Sequence, residues 1–176
     1  MTLKEKIKNK EAVVGIVGIG YVGQELGIYI AKAGYKVIGF DIEQQKVKEV
    51  NDKNISSFTA TKSFAKLKDC DIISINVPTP IDSLKKPNLR AVESASEVVA
   101  KNLKKDQLII LESTVAPGTT RQVVLALLEK SSLKVDKDFF LAFSSERTDF
   151  GNPKYDIKNT PKIVAGYSEK ALHLIK

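Results

Sequence analysis

Short apolar runs and amphipathic stretches alternate along this chain. Six runs have strand character: Ala12–Gly18, Lys36–Asp41, Asp71–Val77, Gln107–Ser113, Phe139–Ser144 and Lys162–Gly166. Between them, Tyr21–Ala33, Glu43–Asn51, Leu89–Leu103 and Thr120–Lys130 carry apolar residues at three- and four-residue spacing, which gathers them on one face of a helix. Strands separated by helices form βαβ units, whose helices cover both faces of a parallel sheet. The strand runs are nearly all apolar, as doubly buried strands must be. The pattern therefore predicts an α/β fold, a doubly wound, mainly parallel sheet. Residues 2–11 predict a short leading helix with Leu3 and Ile7 on one face, and its role is packing. Pro78–Asn88 is the most loop-like stretch and follows a strand's C-terminal end, the edge at which such folds bind ligands.

The first strand runs into "GIGYVG", with Gly18, Gly20 and Gly23 at G-x-G-x-x-G spacing. The motif is weak alone, but here it follows an apolar strand and opens a helix. The first glycine allows the tight turn, the second lets the backbone approach a pyrophosphate, and the third lets helix and strand pack closely. The helix N-terminus presents free N–H groups and a positive dipole end to that anion. The second strand ends at Asp41, 18 residues past Gly23, where an acid accepts hydrogen bonds from the adenosine ribose. A carboxylate there repels the 2′-phosphate of NADP, and no arginine stands nearby to hold it. The expected cofactor is therefore NAD, bound by a Rossmann-type domain over residues 12–167.

Two further strand ends carry hydroxyls over the same crevice: Thr79 in "VPTP" and Thr114 in "ESTVAPGTT", both expected to hydrogen-bond the cofactor. Thr119 and Thr120 precede an apolar-periodic run and read as helix caps. Glu146 and Arg147 leave the sheet together in "FSSERTDFGN". From position alone they read as a surface ion pair. An acid there can also act on a water or a sugar hydroxyl, and an arginine can meet a phosphate or carboxylate.

Composition narrows the partners. At 43% hydrophobic and 28% charged, the 176 residues make an ordinary globular chain. The formal charge of +7 comes from scattered basic residues, mostly lysines, whereas nucleic-acid binders cluster theirs, so no nucleic acid is expected. A mildly basic surface suits an anionic small molecule as well. No apolar run approaches the about 20 residues of a membrane span. "MTLKEKIKNKE" lacks the apolar core of a signal peptide, and the single cysteine, Cys70, fits a reducing cytoplasm. One cysteine excludes an internal disulfide and a cysteine zinc cluster, and no metal is expected. Cys70 precedes the strand Asp71–Val77, so it belongs at the sheet's N-terminal edge, buried and structural. His173, the only histidine, reads as a surface residue.

"GIVGIGYVG", "VIGFDI", "VPTP", "ESTVAPGTTRQVV", "FSSERTDFGN" and "PKIVAG" together resemble the UDP-glucose/GDP-mannose dehydrogenase family, and within it the UDP-N-acetylhexosamine 6-dehydrogenase branch. The resemblance implies that Tyr21 and Val22 lie against NAD in the glycine loop and that Asp41 takes the ribose. It implies that Thr79 and Thr114 contact NAD, with Thr114 also near the reacting water. It further implies that Glu146 assists catalysis and binds substrate, and that Arg147 touches the nucleotide sugar. Such enzymes oxidise a sugar C6 alcohol twice. The first hydride transfer gives an aldehyde, a cysteine thiolate captures it, the second hydride leaves a thioester, and water releases the acid. The family's nucleophilic cysteine, with its lysine and asparagine, lies downstream of the region matched here. Residues 168–176 then begin the family's middle helix, and the chain alone is expected to be a monomer or weak homodimer. Ser145 and Phe150 replace family prolines, and the segment between Asn51 and Phe58 is short. Two readings follow: the NAD-binding portion of a nucleotide-sugar dehydrogenase, or a stand-alone NAD-binding module without that activity. A β-hydroxyacid-type dehydrogenase would explain neither "VPTP" nor "ESTVAPGTT".

Overall fold

The computed structural model of this chain describes residues 1–147, 157 and 159–176. Among these, seven strands make one sheet: β1 Val13–Val17, β2 Lys36–Phe40, β3 Phe58–Thr61, β4 Ile72–Ile75, β5 Leu108–Leu111, β6 Phe140–Phe143 and β7 Ala165–Gly166. Their order across the sheet is β3-β2-β1-β4-β5-β6-β7. Every pairing is parallel except β6 with β7. The chain winds outward from β1 in one direction to β3, then crosses to β4 and winds the other way. The loop after β1 thus sits at the point where strand order reverses, where a crevice opens beyond the strands' carboxyl ends.

The period-2 alternation of each strand divides the core into two layers. Val17, Ile73, Ile75, Ile109 and Leu111 face α4 (Arg90–Asn102) and the helical run that follows β5. Val14, Ile16 and Val37 face α2 (Tyr21–Lys32) and α3 (Gln44–Asp52). On that second side, Leu108 and Ala142 pack with Leu3 of α1 (Leu3–Lys8) and with Leu174 and Ile175 of the last helix, Glu169–Ile175. The leading helix is shorter than its expected span: Thr2 caps its start, accepting from the Glu5 N–H while Glu5 accepts from the Thr2 N–H, and it ends at Lys8, with Asn9 as its C-cap and Lys10 turning left-handed at φ +61°. Lys6 ties it to the sheet through Asp71 at 2.7 Å. Among the described residues, no helix is long and apolar enough to cross a membrane.

Three elements depart from the pattern reading. The short segment after Asn51 leads into strand β3, which is not among the six strand runs of the sequence pattern. Its four residues, FTAT, alternate apolar and polar, but the run is too short to stand out, and only Phe58 is fully buried. Pairing with β2 and the Asn51 side chain, which both donates to and accepts from the Ala60 backbone, make the strand. A 3₁₀-helix, Phe64–Asp69, fills the next connection. The final strand shrinks from Lys162–Gly166 to Ala165–Gly166, because only those two residues pair with β6.

Candidate functional site: a dinucleotide crevice and a buried charge cluster

The glycine loop is shaped by contacts that no side chain could share. Gly18 has φ +88°, and a Cβ there would lie 2.5 Å from the Asn76 carbonyl oxygen. At Gly23, a Cβ would come within 2.1 Å of the Gly18 carbonyl oxygen. Gly20 differs: a Cβ built on it meets nothing within 4 Å. The protein therefore leaves the space above Gly20 open, at the N-terminus of α2, where four backbone N–H groups lack helical partners. Tyr21 and Val22 are the first two residues of that helix, and Tyr21 is 65% exposed.

Asp41 is only 6% exposed. Its Oδ2 accepts from the Ile19 N–H and its Oδ1 from the Glu43 N–H, both at 3.0 Å. One carboxylate thus fixes the glycine loop and the start of α3, and it also lines a cavity of about 350 Å³ beside that loop. Phe64, Val77, Ala95 and Val98 give this cavity apolar walls. Lys46 and Arg90 line it too, which corrects the expectation that no arginine stands near Asp41: Arg90 is distant in sequence but arrives on the first turn of α4. The Lys46 ammonium is already engaged, donating to Glu43 Oε1 at 2.6 Å.

The two threonine loops meet. The Thr79 hydroxyl donates to the Thr114 carbonyl at 2.7 Å, bridging the ends of β4 and β5. Ser113, which the sequence reading passed over, doubles the bridge: its Oγ donates to the Val77 carbonyl and accepts from the Val77 N–H. Thr114 itself is exposed at the rim. Thr119 precedes a helix that opens as a π-helix over Thr120–Leu125, but its side chain makes no capping bond. The expected cap is absent because its backbone is already helical, at φ −54° and ψ −42°. The Gly118 carbonyl accepts from Arg121 and Gln122 there instead.

Beyond β6, the chain stays on the ladder as far as Glu146, whose N–H donates to the Glu112 carbonyl. The Glu146 side chain is 8% exposed, so it is not part of a surface pair. Arg147 supplies a backbone N–H to Glu146 Oε1 at 2.8 Å, while the ion-pair partner is Lys162 at 3.3 Å. The same ammonium donates to Glu112 Oε2 at 2.6 Å. Burial pushes the Glu112 carboxyl up from the ordinary carboxylate value; Lys162 pulls it back, and Glu146 adds to the rise. Glu112 and Lys162 lie in the quoted stretches ESTVAPGTTRQVV and PKIVAG, but nothing in the sequence pairs them, since the chain brings them together only where β7 returns beside β6. Phe150, Gly151 and Asn152 lie outside the described residues.

Cys70 lies at the opposite edge, before β4, fully buried, with its Sγ 3.7 Å from the Lys66 carbonyl oxygen. Burial pushes its thiol up to about 12, the Asp69 charge adding to the rise. At pH 8, the folded protein is therefore expected to resist iodoacetamide and to be labelled fully in denaturant, as read by mass spectrometry. Rapid labelling of the folded chain would place the thiol at the surface. His173 is exposed on the last helix, as its sequence context predicted.

A glycine loop at the strand-order reversal, a helix N-terminus facing open space and an acid beside an apolar cavity define a Rossmann-type dinucleotide-binding domain. The donor set fits NAD: room over Gly20 for the diphosphate, and Asp41 beside the cavity for the ribose. The chain belongs to the UDP-glucose/GDP-mannose dehydrogenase family, whose NAD binding domain matches residues 12–58 and 53–175. It is 34% identical over 180 residues to the UDP-N-acetyl-D-glucosamine 6-dehydrogenase of Pseudomonas aeruginosa, covering 94% of this chain and 42% of that one. An NDP-N-acetyl-D-galactosaminuronic acid dehydrogenase from Methanosarcina mazei Go1 superposes with a TM-score of 0.84 at 27% identity, covering 99% of this chain and 43% of that one. A UDP-D-ManNAc dehydrogenase from Pyrococcus horikoshii gives a TM-score of 0.80 at 30% identity, over 93% of this chain and 43% of that one. The chain thus spans less than half the length of these relatives.

Proposed function

We propose that this chain is the NAD-binding part of a nucleotide-sugar 6-dehydrogenase, acting on a UDP-N-acetylhexosamine whose C6 alcohol is oxidised to the acid. The observation that carries this reading is the junction of two loops at one edge: Thr79 bonded to Thr114, beside Glu146 held at the end of β6. Residues 12–167 form the binding domain in this reading, and residues 168–176 begin the helix that leads onward. NAD, when bound, accepts hydride from the alcohol carbon.

The chain's own residues then divide the work. The α2 N-terminus and the backbone at Gly18, Gly20 and Gly23 hold the diphosphate, with Tyr21 and Val22 against it. Asp41 accepts from the adenosine ribose through the lone pairs left by its two backbone bonds. Thr79 spends its proton on the Thr114 carbonyl, so toward the cofactor it acts as an acceptor, and the bond keeps both loops in register. Thr114 and Glu146 face the reacting alcohol and its water, where a buried carboxylate can take up a proton. Arg147 meets the anionic nucleotide sugar. The exposed large apolar side chains are spread over the N-terminus, α2 and several loops, which supports a monomer or weak homodimer. A single buried thiol suits a cytoplasmic setting.

Calorimetric titration with NADH and NADPH tests the cofactor side. NADH is expected to bind at least tenfold tighter, about 1.4 kcal/mol, because the Asp41 carboxylate repels a 2′-phosphate, Lys46 is already paired with Glu43, and that repulsion outweighs the pull of Arg90 in the same cavity. Asp41→Ala should weaken NADH binding by about 2 kcal/mol, since it removes a charge-assisted acceptor and frees the loop at Ile19. Equal or tighter NADPH binding would sink the role given to Asp41.

A further inference from the structure

Lys162 is used by none of the roles above, yet its ammonium sits between two carboxylates that are each only 8% exposed. Its own side chain is 23% exposed. Glu112 ends β5, Glu146 follows β6, and Lys162 lies just before β7, so three neighbouring strands meet in one charge cluster. Among the described residues, the charged groups acting on Glu112 are Lys162 and Glu146. Arg147 faces Glu146 through its backbone N–H.

We propose that Lys162 is a positioning residue that acts through Glu146: its ammonium keeps the Glu146 carboxylate charged and fixed at the crevice edge, with Glu112 as the second anchor of that ammonium. The inference rests on the reading of Glu146 as a catalytic group. Its physical basis is independent of that reading. A carboxylate taken out of water loses hydration and favours the neutral acid, unless an opposite charge a few ångströms away restores the ion. Two buried carboxylates also repel each other, so without the cation between them one must hold a proton. The Lys162–Glu112 contact is the shorter, at 2.6 Å, and it holds the ammonium from the rigid end of β5. The contact to Glu146 is an ion pair at 3.3 Å.

The test is a pH titration of glutamate side-chain carboxyl ¹³C signals, assigned with Glu112→Gln and Glu146→Gln, alongside calorimetric NADH binding. Lys162→Met should raise the Glu146 midpoint by about one unit or more, a tenfold shift in its proton affinity. The sign follows from the loss of one compensating charge: the ionised form gives up the Lys162 ammonium, so protonation occurs at higher pH. Lys162→Arg, which keeps the charge, should restore the midpoint, a rescue that a purely space-filling lysine would not show. If Lys162→Met does not fold, the same comparison is made between Glu112→Gln and Glu112→Gln with Lys162→Met, where the missing anchor is neutral in both. An unchanged Glu146 midpoint on removing the ammonium overturns the inference. Failure of the unaltered chain to bind NADH overturns the proposed function instead, and the carboxyl titration reads the cluster whether or not NADH binds.

Discussion

Gly23→Ala is expected to abolish useful NADH binding and to destabilise the fold by about 2 kcal/mol, the cost of forcing a methyl into filled space. The new Cβ would stand 2.1 Å from the Gly18 carbonyl oxygen. Both partners are backbone, so no side chain can rotate away, and the first turn of α2 must move off β1. That movement carries the N–H groups of the helix terminus away from the diphosphate position. Gly20→Ala separates the two effects. Its Cβ meets nothing in the protein, and its backbone, at φ −66° and ψ −166°, suits alanine. Stability should change by less than about 0.5 kcal/mol. Binding should still fall about tenfold or more, because the methyl occupies the space the diphosphate needs. Denaturant unfolding and NADH titration of both variants check the pair. A Gly23→Ala protein with unaltered affinity and unfolding midpoint would show that the loop is not held as described.

These 176 residues by themselves are expected not to oxidise UDP-GlcNAc, UDP-ManNAc, UDP-GalNAc or UDP-glucose to the acid, so repeated turnover at two NADH per sugar is not expected. Oxidation to the acid through a thioester needs a thiolate against C6. The only cysteine, Cys70, is buried before β4, while Thr79 and Thr114 gather beyond the other ends of β4 and β5. Its thiol is held at about 12, so it is protonated at neutral pH as well as misplaced. Removing the nucleophile from a set of groups that act together costs on the order of 10⁴-fold or more in rate. The check is spectrophotometric NADH accumulation with the purified chain and with Cys70→Ser. Repeated turnover at two NADH per sugar, lost in Cys70→Ser, would place the chemistry at Cys70 and overturn both the location of that thiol and the division of labour proposed above.

Much of the cofactor half was legible before any coordinates, because its signals are local. The order strand, glycines, helix, acid needs only neighbouring residues to be read, and the structure sets Gly18 and Asp41 on one cavity, with open space above Gly20 and Gly23 packed on the Gly18 carbonyl. Arg90 shows the limit: nothing near Asp41 in the sequence announced it, since α4 brings it in from the other side of the reversal point. The single acid carried another surprise. The sequence singled out Asp41 at the end of β2, but its bonds to the Ile19 and Glu43 N–H groups depend on loops that only the folded chain brings together.

The sequence by itself determined the layer architecture, the parallel winding and the glycine loop, because hydrophobic period and glycine spacing act over one or two turns of chain. Tertiary structure decided β3, whose four-residue FTAT run is too short to announce itself and is fixed by pairing with β2 and with the Asn51 side chain. It also decided the partner of Glu146. Sequence adjacency offered Arg147, but Arg147 meets the Glu146 carboxylate through its backbone N–H. The buried carboxylate needs a cation from its own side, and the return of the chain toward β7 delivers Lys162 there, with Glu112 as its second acceptor.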